Sequence, residues 1–331
     1  MVTIYDIAKK AGVSPATVSR VLNNGPVRIS TKEKILKIIE KENFVPDNRA
    51  VYLKKLNTKK IGLIVPDVLN PIYSLKIKVI HDYLKERNYY LILGNSYGYV
   101  DEEKSILEMF ERERVAGVII GTCEGEDDSC LVPIFTRMLN NGIKIVFTGK
   151  KNYGLKVDVI SVNNVSGTYK ITNYLIKTGR KKIGFISGEK SLRATEERLE
   201  GYLKALKERG LKIDKEIILC EGEYKLENGK RLTKKLLRKV DAIVCGNDLM
   251  AIGAIKAIEE NGLKVPDDIS VCGFDDIFLS SLIKPSLTTV HQPIEKISEI
   301  ACERLIGWID GKIKKEEEIL IEPEIIIRES A

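Results

Sequence analysis

Apolar residues recur along positions 4–22 as two short helical stripes. Ile4, Ile7, Ala8 and Ala11 fall at i, i+3, i+4 and i+7, one face of a helix. Thr3 precedes them and Asp6 follows three residues later, so the first amides have acceptors. Gly12 offers a left-handed stop, and Val13 turns inward. Ser14 can cap a second helix with Pro15 at its first position, where a missing amide costs nothing. Val18, Val21 and Leu22 form the buried stripe of that helix, leaving Pro15, Ala16, Thr17, Ser19, Arg20 and Asn23 outward. After the turn NNGPVR, Ser30 or Thr31 starts a third helix. Ser30 and Glu33 have the spacing of a capping box, and Ile35, Ile38 and Ile39 make the buried face. Three such helices close a unit of roughly 45 residues, small but sufficient for one core.

Pro46 ends this pattern, and residues 47–59 are polar and basic. The segment Asp47 to Lys55 reads as one helical turn, too short to hold unaided but able to form when docked. Leu53 is then an apolar side chain among cations, suited to wedge into a minor groove. From Ile61 continuous apolar runs (IGLIV, YYLILG, VAGVII, IKIVF) alternate with helical stretches near 72–87, 102–113 and 131–140. DVISV at 158–162 is expected to open a second round. It continues through a helix at 166–178, KIGFIS, a helix at 196–209, EIILC, a helix at 228–238, DAIVC, a helix at 248–261 and DISVCGF. A last helix near 294–310 and EIIIRE finish the chain. Runs buried on both faces that alternate with helices predict two parallel-sheet α/β halves. Their strand ends share a cleft where small ligands bind.

Charge sharpens the picture. Residues 1–60 hold 13 Lys and Arg against 5 Asp and Glu, whereas the other residues hold 41 against 42. A basic head on a neutral body suits nucleic acid, because each neutralised phosphate releases counterions. Two short helices joined by a glycine turn form a helix-turn-helix, whose second helix enters the major groove. Its outer face carries small hydroxyls and an amide suited to phosphates, and one arginine able to read a guanine edge. No apolar stretch is long enough to cross a membrane, and the start of the chain lacks the apolar core of a signal peptide. A cytoplasmic protein with reduced cysteines is expected. The six cysteines are scattered without a CxxC pair, and only His81 and His291 could join a metal site, so neither metal nor cofactor is expected.

Several ordered motifs resemble the LacI/GalR (lactose/galactose repressor) family of bacterial transcription regulators over essentially the full length. They are TIYDIAKKAGVSPATVSRVLN, VPDNRAVYL, IGLIVPDVLNPIY, RLEGY, GNDLMAIGA, and GFDD followed by LTTVHQP. The resemblance implies a helix-turn-helix domain at 1–46 and a hinge at 47–59. It also implies a periplasmic-binding-protein-like core of two Rossmann-like subdomains, 60–161 with 291–321 and 162–290 with 322–331. The chain would cross between them near Val162, His291 and Glu322. A dimer on a near-palindromic operator is implied, in the bacterial cytoplasm and at the nucleoid. Pro15, Ala16 and Arg20 match the family's base readers. Ser14, Thr17, Ser19 and Asn23 match its phosphate contacts, and Leu53 its hinge leucine. Arg198, Tyr224, Asn247 and Asp275 fall on positions that line the effector cleft, and Tyr73, in the loop after the first strand, is a further wall candidate. Val51 and Tyr52 depart from the small polar or basic residues common before the hinge leucine. Gly149 and Asn163 stand where many relatives carry aspartate.

The effector set is chemically coherent. Tyr224 can stack on a sugar or base ring, Asp275 and Arg198 can grip hydroxyls, and Asn247 can donate and accept. A sugar is the expected ligand and a purine or nucleoside the alternative. A solute-binding protein would share the core but have no use for the head. An enzyme lacks support: there is no P-loop, no G-x-G-x-x-G after the first strand, and no nucleophile elbow. The last strand is followed by no leucine-heptad tail, which favours a dimer over a tetramer.

Overall fold

A computed structural model describes residues 4–22, 25–42, 58–121, 128–149 and 152–331. Contacts divide the chain into two units, Met1–Thr58 and Lys59–Ala331. In the first unit, helices α1 (Ile4–Ala11), α2 (Pro15–Leu22) and α3 (Ile29–Lys41) surround a small core of Ile7, Ala8, Ala11, Val18, Val21 and Ile35. Gly12 takes φ 67°, and the Val13 amide donates back to the Ala8 carbonyl at 3.0 Å, so the turn between α1 and α2 closes as a left-handed helix stop. The capping box expected at Ser30 does not form. Helix α3 begins one residue earlier, with Arg28 at the cap in extended geometry and no side chain on its first amides. The Arg28 carbonyl instead takes the amides of Thr31 and Lys32, and Ser30 is left exposed within the first turn. Thr3, Asn23, Leu53 and the predicted hinge turn at 47–55 lie outside the described residues.

The second unit holds two six-stranded sheets. The first uses β1 (Lys60–Val65), β2 (Tyr90–Asn95), β3 (Gly117–Gly121), β4 (Lys144–Thr148), β5 (Asp158–Val162) and β11 (Glu318–Ile321). The second uses β6 (Ile183–Ser187), β7 (Ile218–Cys220), β8 (Ala242–Cys245), β9 (Ser270–Asp275), β10 (Thr288–His291) and β12 (Glu324–Ile326). Their orders are β11-β5-β4-β3-β1-β2 and β12-β10-β9-β8-β6-β7. All pairs are parallel except β10 with β12. Each lobe therefore repeats one doubly wound topology, and each receives its sixth strand after the chain has visited the other lobe. The five strands Ile61–Val65, Gly117–Gly121, Asp158–Val162, Ile183–Ser187 and Ala242–Cys245 are buried throughout, as continuous apolar runs require.

DVISV does not open a second round. Strand β5 pairs with β4 and β11 and completes the first lobe; the second lobe begins with helix α7 (Asn164–Lys177) and β6. The remaining helices are α4 (Pro71–Glu86), α5 (Val100–Arg112), α6 (Val132–Asn140), α8 (Arg193–Glu208), α9 (Leu226–Leu236), α10 (Asp248–Glu260) and α11 (Ile294–Ile309). Helix α11 follows β10 of the second lobe yet packs on α4 and on β3, β4 and β5 of the first. At its end, the buried Asp158 carboxylate accepts from Arg304, from Trp308 Nε1 at 2.6 Å and from the Glu317 amide at 2.7 Å. No helix among the described residues is long and apolar enough to cross a membrane.

Candidate DNA reader and effector site

On the head, Ser14 Oγ accepts from the Thr17 amide at 3.2 Å and lies 2.9 Å from Thr17 Oγ1, so the hydroxyl caps α2. Ala16 and Arg20 are exposed, while Pro15, Thr17 and Ser19 are half-exposed. Arg20 makes no side-chain bond among the described residues, and its backbone carbonyl takes the Gly25 amide at 2.7 Å. The helix thus presents a guanidinium that folding does not consume. The predicted readers are all exposed or half-exposed, except Asn23, which lies outside the described residues.

In the core, the strand order reverses around β6, which has β7 on one side and β8 on the other. Ligands of doubly wound sheets bind beyond the strand ends at such a switch point. Ser187 ends β6 here with Gly188 after it, Gly246-Asn247 follows β8, and Asp275 ends β9. Four of the five predicted effector residues converge on this spot. Arg198, 7% exposed, projects from α8. Its Nε donates to Asn164 Oδ1 at 2.9 Å and its Nη1 to the Gly246 carbonyl. Its plane lies over Phe274 at 3.8 Å, and Tyr224 is 5.7 Å away. Arg198 Nη2 stands 3.9 Å from Asp275 Oδ1, an ion pair too long for a hydrogen bond.

The Tyr224 ring sits between two glycines. A Cβ on Gly188 would fall 2.7 Å from the ring, and one on Gly246 would fall 2.8 Å from it. The phenol lies 2.6 Å from Thr195 Oγ1 and accepts from Ser187 Oγ at 3.1 Å. Asn247 is less free than the sequence suggests. Its Oδ1 caps α10 through the Met250 amide at 2.9 Å, and its Nδ2 reaches the Tyr224 carbonyl at 3.3 Å. The acceptor is used in folding, so Asn247 holds the loop as well as facing the site. Asp275 has φ 129° and Asp276 φ 60°, positive values that side chains rarely adopt and that collect at functional sites. Burial pushes the Asp275 carboxyl up to about 7; the Arg198 guanidinium pulls it back, Asp248 pushes it further, and Gln292, donating at 2.5 Å, lowers it.

Tyr73 does not join this group. It belongs to the first lobe, where its ring faces Lys76 Nζ at 5.7 Å. A cavity of about 470 Å³ is lined from both lobes, by Asn152, Tyr153, Ser161 and Glu318 on one and Arg193 on the other, and none of the five predicted residues lines it. Gly149 has φ 88°, a conformation that would strain an aspartate, and Asn163 caps α7 through the Ser166 amide at 3.0 Å. Residues that sequence reasoning missed include Thr195, Phe274 and Gln292 in the second lobe and Lys76 in the first. Lys76 had a legible signal: it interrupts the apolar face Ile72, Ile80, Leu84 at helical spacing. Among the described residues, no cluster of three His, Cys, Asp or Glu is placed to hold a metal.

Comparison with known proteins extends these observations. Residues 3–47 match the family model for bacterial regulatory proteins, lacI family, and residues 172–331 match that for a periplasmic binding protein-like domain. The HTH-type transcriptional repressor PurR of Pasteurella multocida (strain Pm70) is 36% identical over 335 residues, covering 100% of this chain and 98% of that protein. The crystal structure of the lac repressor dimer bound to operator and the anti-inducer ONPF superposes with a TM-score of 0.87 at 27% identity, covering 99% of this chain and 98% of that one. The complex of the transcriptional regulator CelR with cellobiose gives a TM-score of 0.75 at 26% identity, with both chains covered completely.

Proposed function

The chain belongs to the lacI family of bacterial regulatory proteins, and on that premise we propose that a sugar bound at the second-lobe switch point sets its affinity for DNA. It is a dimeric, sequence-specific DNA-binding transcription regulator with an effector-binding core, not an enzyme. The observation that carries the sugar reading is the convergence of Arg198, Tyr224, Asn247 and Asp275 beyond β6, β8 and β9. A guanidinium, a carboxyl, an amide and an aromatic ring are the groups that grip hydroxyls and cover an apolar sugar face. The bound cellobiose of the CelR complex supports the same choice.

In this reading residues 1–46 hold a cytoplasmic, nucleoid-bound reader. Ser14, Thr17, Ser19 and Asn23 fix it on phosphates, Pro15, Ala16 and Arg20 meet bases, and the hinge at 47–59 lays Leu53 in the minor groove of a near-palindromic operator. The lobes 60–161 with 291–321 and 162–290 with 322–331 close on the ligand, with Tyr73 as a wall from the first lobe. Exposed apolar side chains (Tyr90, Leu93, Tyr97, Tyr99, Phe278 and Leu282) offer surface for the pairing of subunits. The switch requires that ligand bind one lobe arrangement better than the other. Thermal-shift screening of the full chain with sugars and nucleosides tests the ligand class. Sugars should raise the core transition by mass action; stabilisation by nucleosides alone would refute it.

A further inference from the structure

Lys76 is the first lobe's most unusual residue. It lies on the buried face of α4 between Ile72 and Ile80 and is 4% exposed. Its Nζ donates to Thr148 Oγ1 at 3.0 Å, and that hydroxyl passes its own hydrogen to the Ile120 carbonyl at 3.1 Å. An ammonium has three donors, and among the described residues this one uses one of them. The Tyr73 ring at 5.7 Å adds a weak attraction. Among the described residues no carboxylate pairs with it. Burial pulls its pKa down to about 8, so at neutral pH it remains mostly charged. A buried charge without a counter-charge is costly, and an anion arriving with a ligand would offset that cost.

Its position names the counter-charge's source. The first sheet reverses its order around β1, between β2 and β3, as the second does around β6. Gly121 ends β3 and Thr148 ends β4; a Cβ on Gly121 would stand 3.7 Å from the ammonium. Lys76, on the helix that follows β1, thus has the place in the first lobe that Arg198, on the helix that follows β6, has in the second. Gly121 flanks it without a side chain of its own.

We propose that Lys76 binds an anionic group of the effector, a phosphate monoester or a carboxylate, so that the ligand is a sugar phosphate or a sugar acid rather than a neutral sugar. This rests on the reading of the cleft as a sugar site. The anion takes the two unused Nζ donors, while the hydroxyls reach Arg198 and Asp275 across the cleft.

Calorimetric titration of the full chain tests it with matched sets of hexoses and pentoses, each as the neutral sugar, its terminal phosphate and its aldonate. Two charge-assisted hydrogen bonds predict that an anionic member of one set binds about 100-fold tighter than its neutral parent. The phosphate and aldonate arms identify which anion. In Lys76→Met the preference should collapse while the core melts no lower, since a buried charge has been removed. Lys76→Gln provides a second test should the methionine variant misfold. Equal or tighter binding of the neutral parents to the native chain would overturn the proposal and leave the sugar reading standing. So would an anion preference that survives in Lys76→Met. Failure of every member, charged or neutral, would overturn the sugar reading as well.

Discussion

Replacing Arg198 with methionine removes the guanidinium but keeps an unbranched stem over Phe274, 3.8 Å beneath it. Two hydrogen bonds from a charged donor are lost, one to Asn164 and one to the Gly246 carbonyl. Each is worth about 1.5–3 kcal/mol. Asn164 keeps its bond to Glu197 at 2.8 Å, and Asp275 keeps Gln292 but loses its nearest cation. Relief from burying a charge offsets part of this, so the net destabilisation should be about 3–5 kcal/mol. Trp308, the single tryptophan, reports the core transition in urea. The midpoint should fall with the slope unchanged. At concentrations of urea where the variant is still folded, sugar affinity should drop by about 100-fold or more, because the guanidinium that orders the switch point, and that we propose grips hydroxyls, is gone. An unfolding free energy within about 1 kcal/mol of the native chain, together with intact ligand affinity, would refute both roles.

Three other perturbations address separate parts of the account. Arg20→Ala should cost about 1–3 kcal/mol of operator affinity and relax selection at one base pair, read by binding to singly substituted duplexes. Gly188→Ala puts a Cβ 2.7 Å from the Tyr224 ring; it should destabilise the core by about 1–3 kcal/mol and weaken sugar binding, read by thermal melting and calorimetry. The Asp275 carboxyl titrates near 7 in the fold against 3.8 ordinarily, so the folded state holds that proton more tightly. The stability it contributes is present below about pH 4 and lost as pH rises through about 7, at up to about 1.4 kcal/mol per unit. Asp275→Asn should remove that slope from urea midpoints measured across this range, and an unchanged slope would contradict the assignment.

Much of the fold can be read from periodicity because it is local. Ile61–Val65 and Ile183–Ser187 are apolar runs long enough to fix a buried strand, and Ile7, Ala8, Ala11, Val18 and Val21 fix two helices by spacing alone. What periodicity lacks is the partner. Strand β5 reads as the start of a new lobe because a helix follows it, yet β4 and β11, the latter more than 150 residues away, claim it. Strands β10 and β11 are four residues each, TTVH and EILI, and their pattern alone does not separate them from loop. Ser30 has the right spacing for a capping box, but the turn after Gly25 carries the chain into the helix at Ile29, ahead of it. At the site, the chemistry of Arg198 and Tyr224 follows from residue type. The commitment of Asn247 Oδ1 to capping α10 depends on geometry that no single sequence displays. Lys76 lay in plain view on an apolar stripe, and only the structure shows that its side chain folds inward onto Thr148 and leaves the residue 4% exposed.

The central claim joins the two units: a reader of DNA at one end answers to a ligand held in the other. Its most direct test is the affinity of the full chain for a duplex selected from random sequence, measured by fluorescence anisotropy with and without a saturating sugar or sugar phosphate. The account predicts an inverted repeat bound about 10³-fold or more above random DNA, with an affinity that the ligand changes by about 5–150-fold. Equal binding to selected and random duplexes, or an operator affinity that no ligand of the core moves, would contradict it.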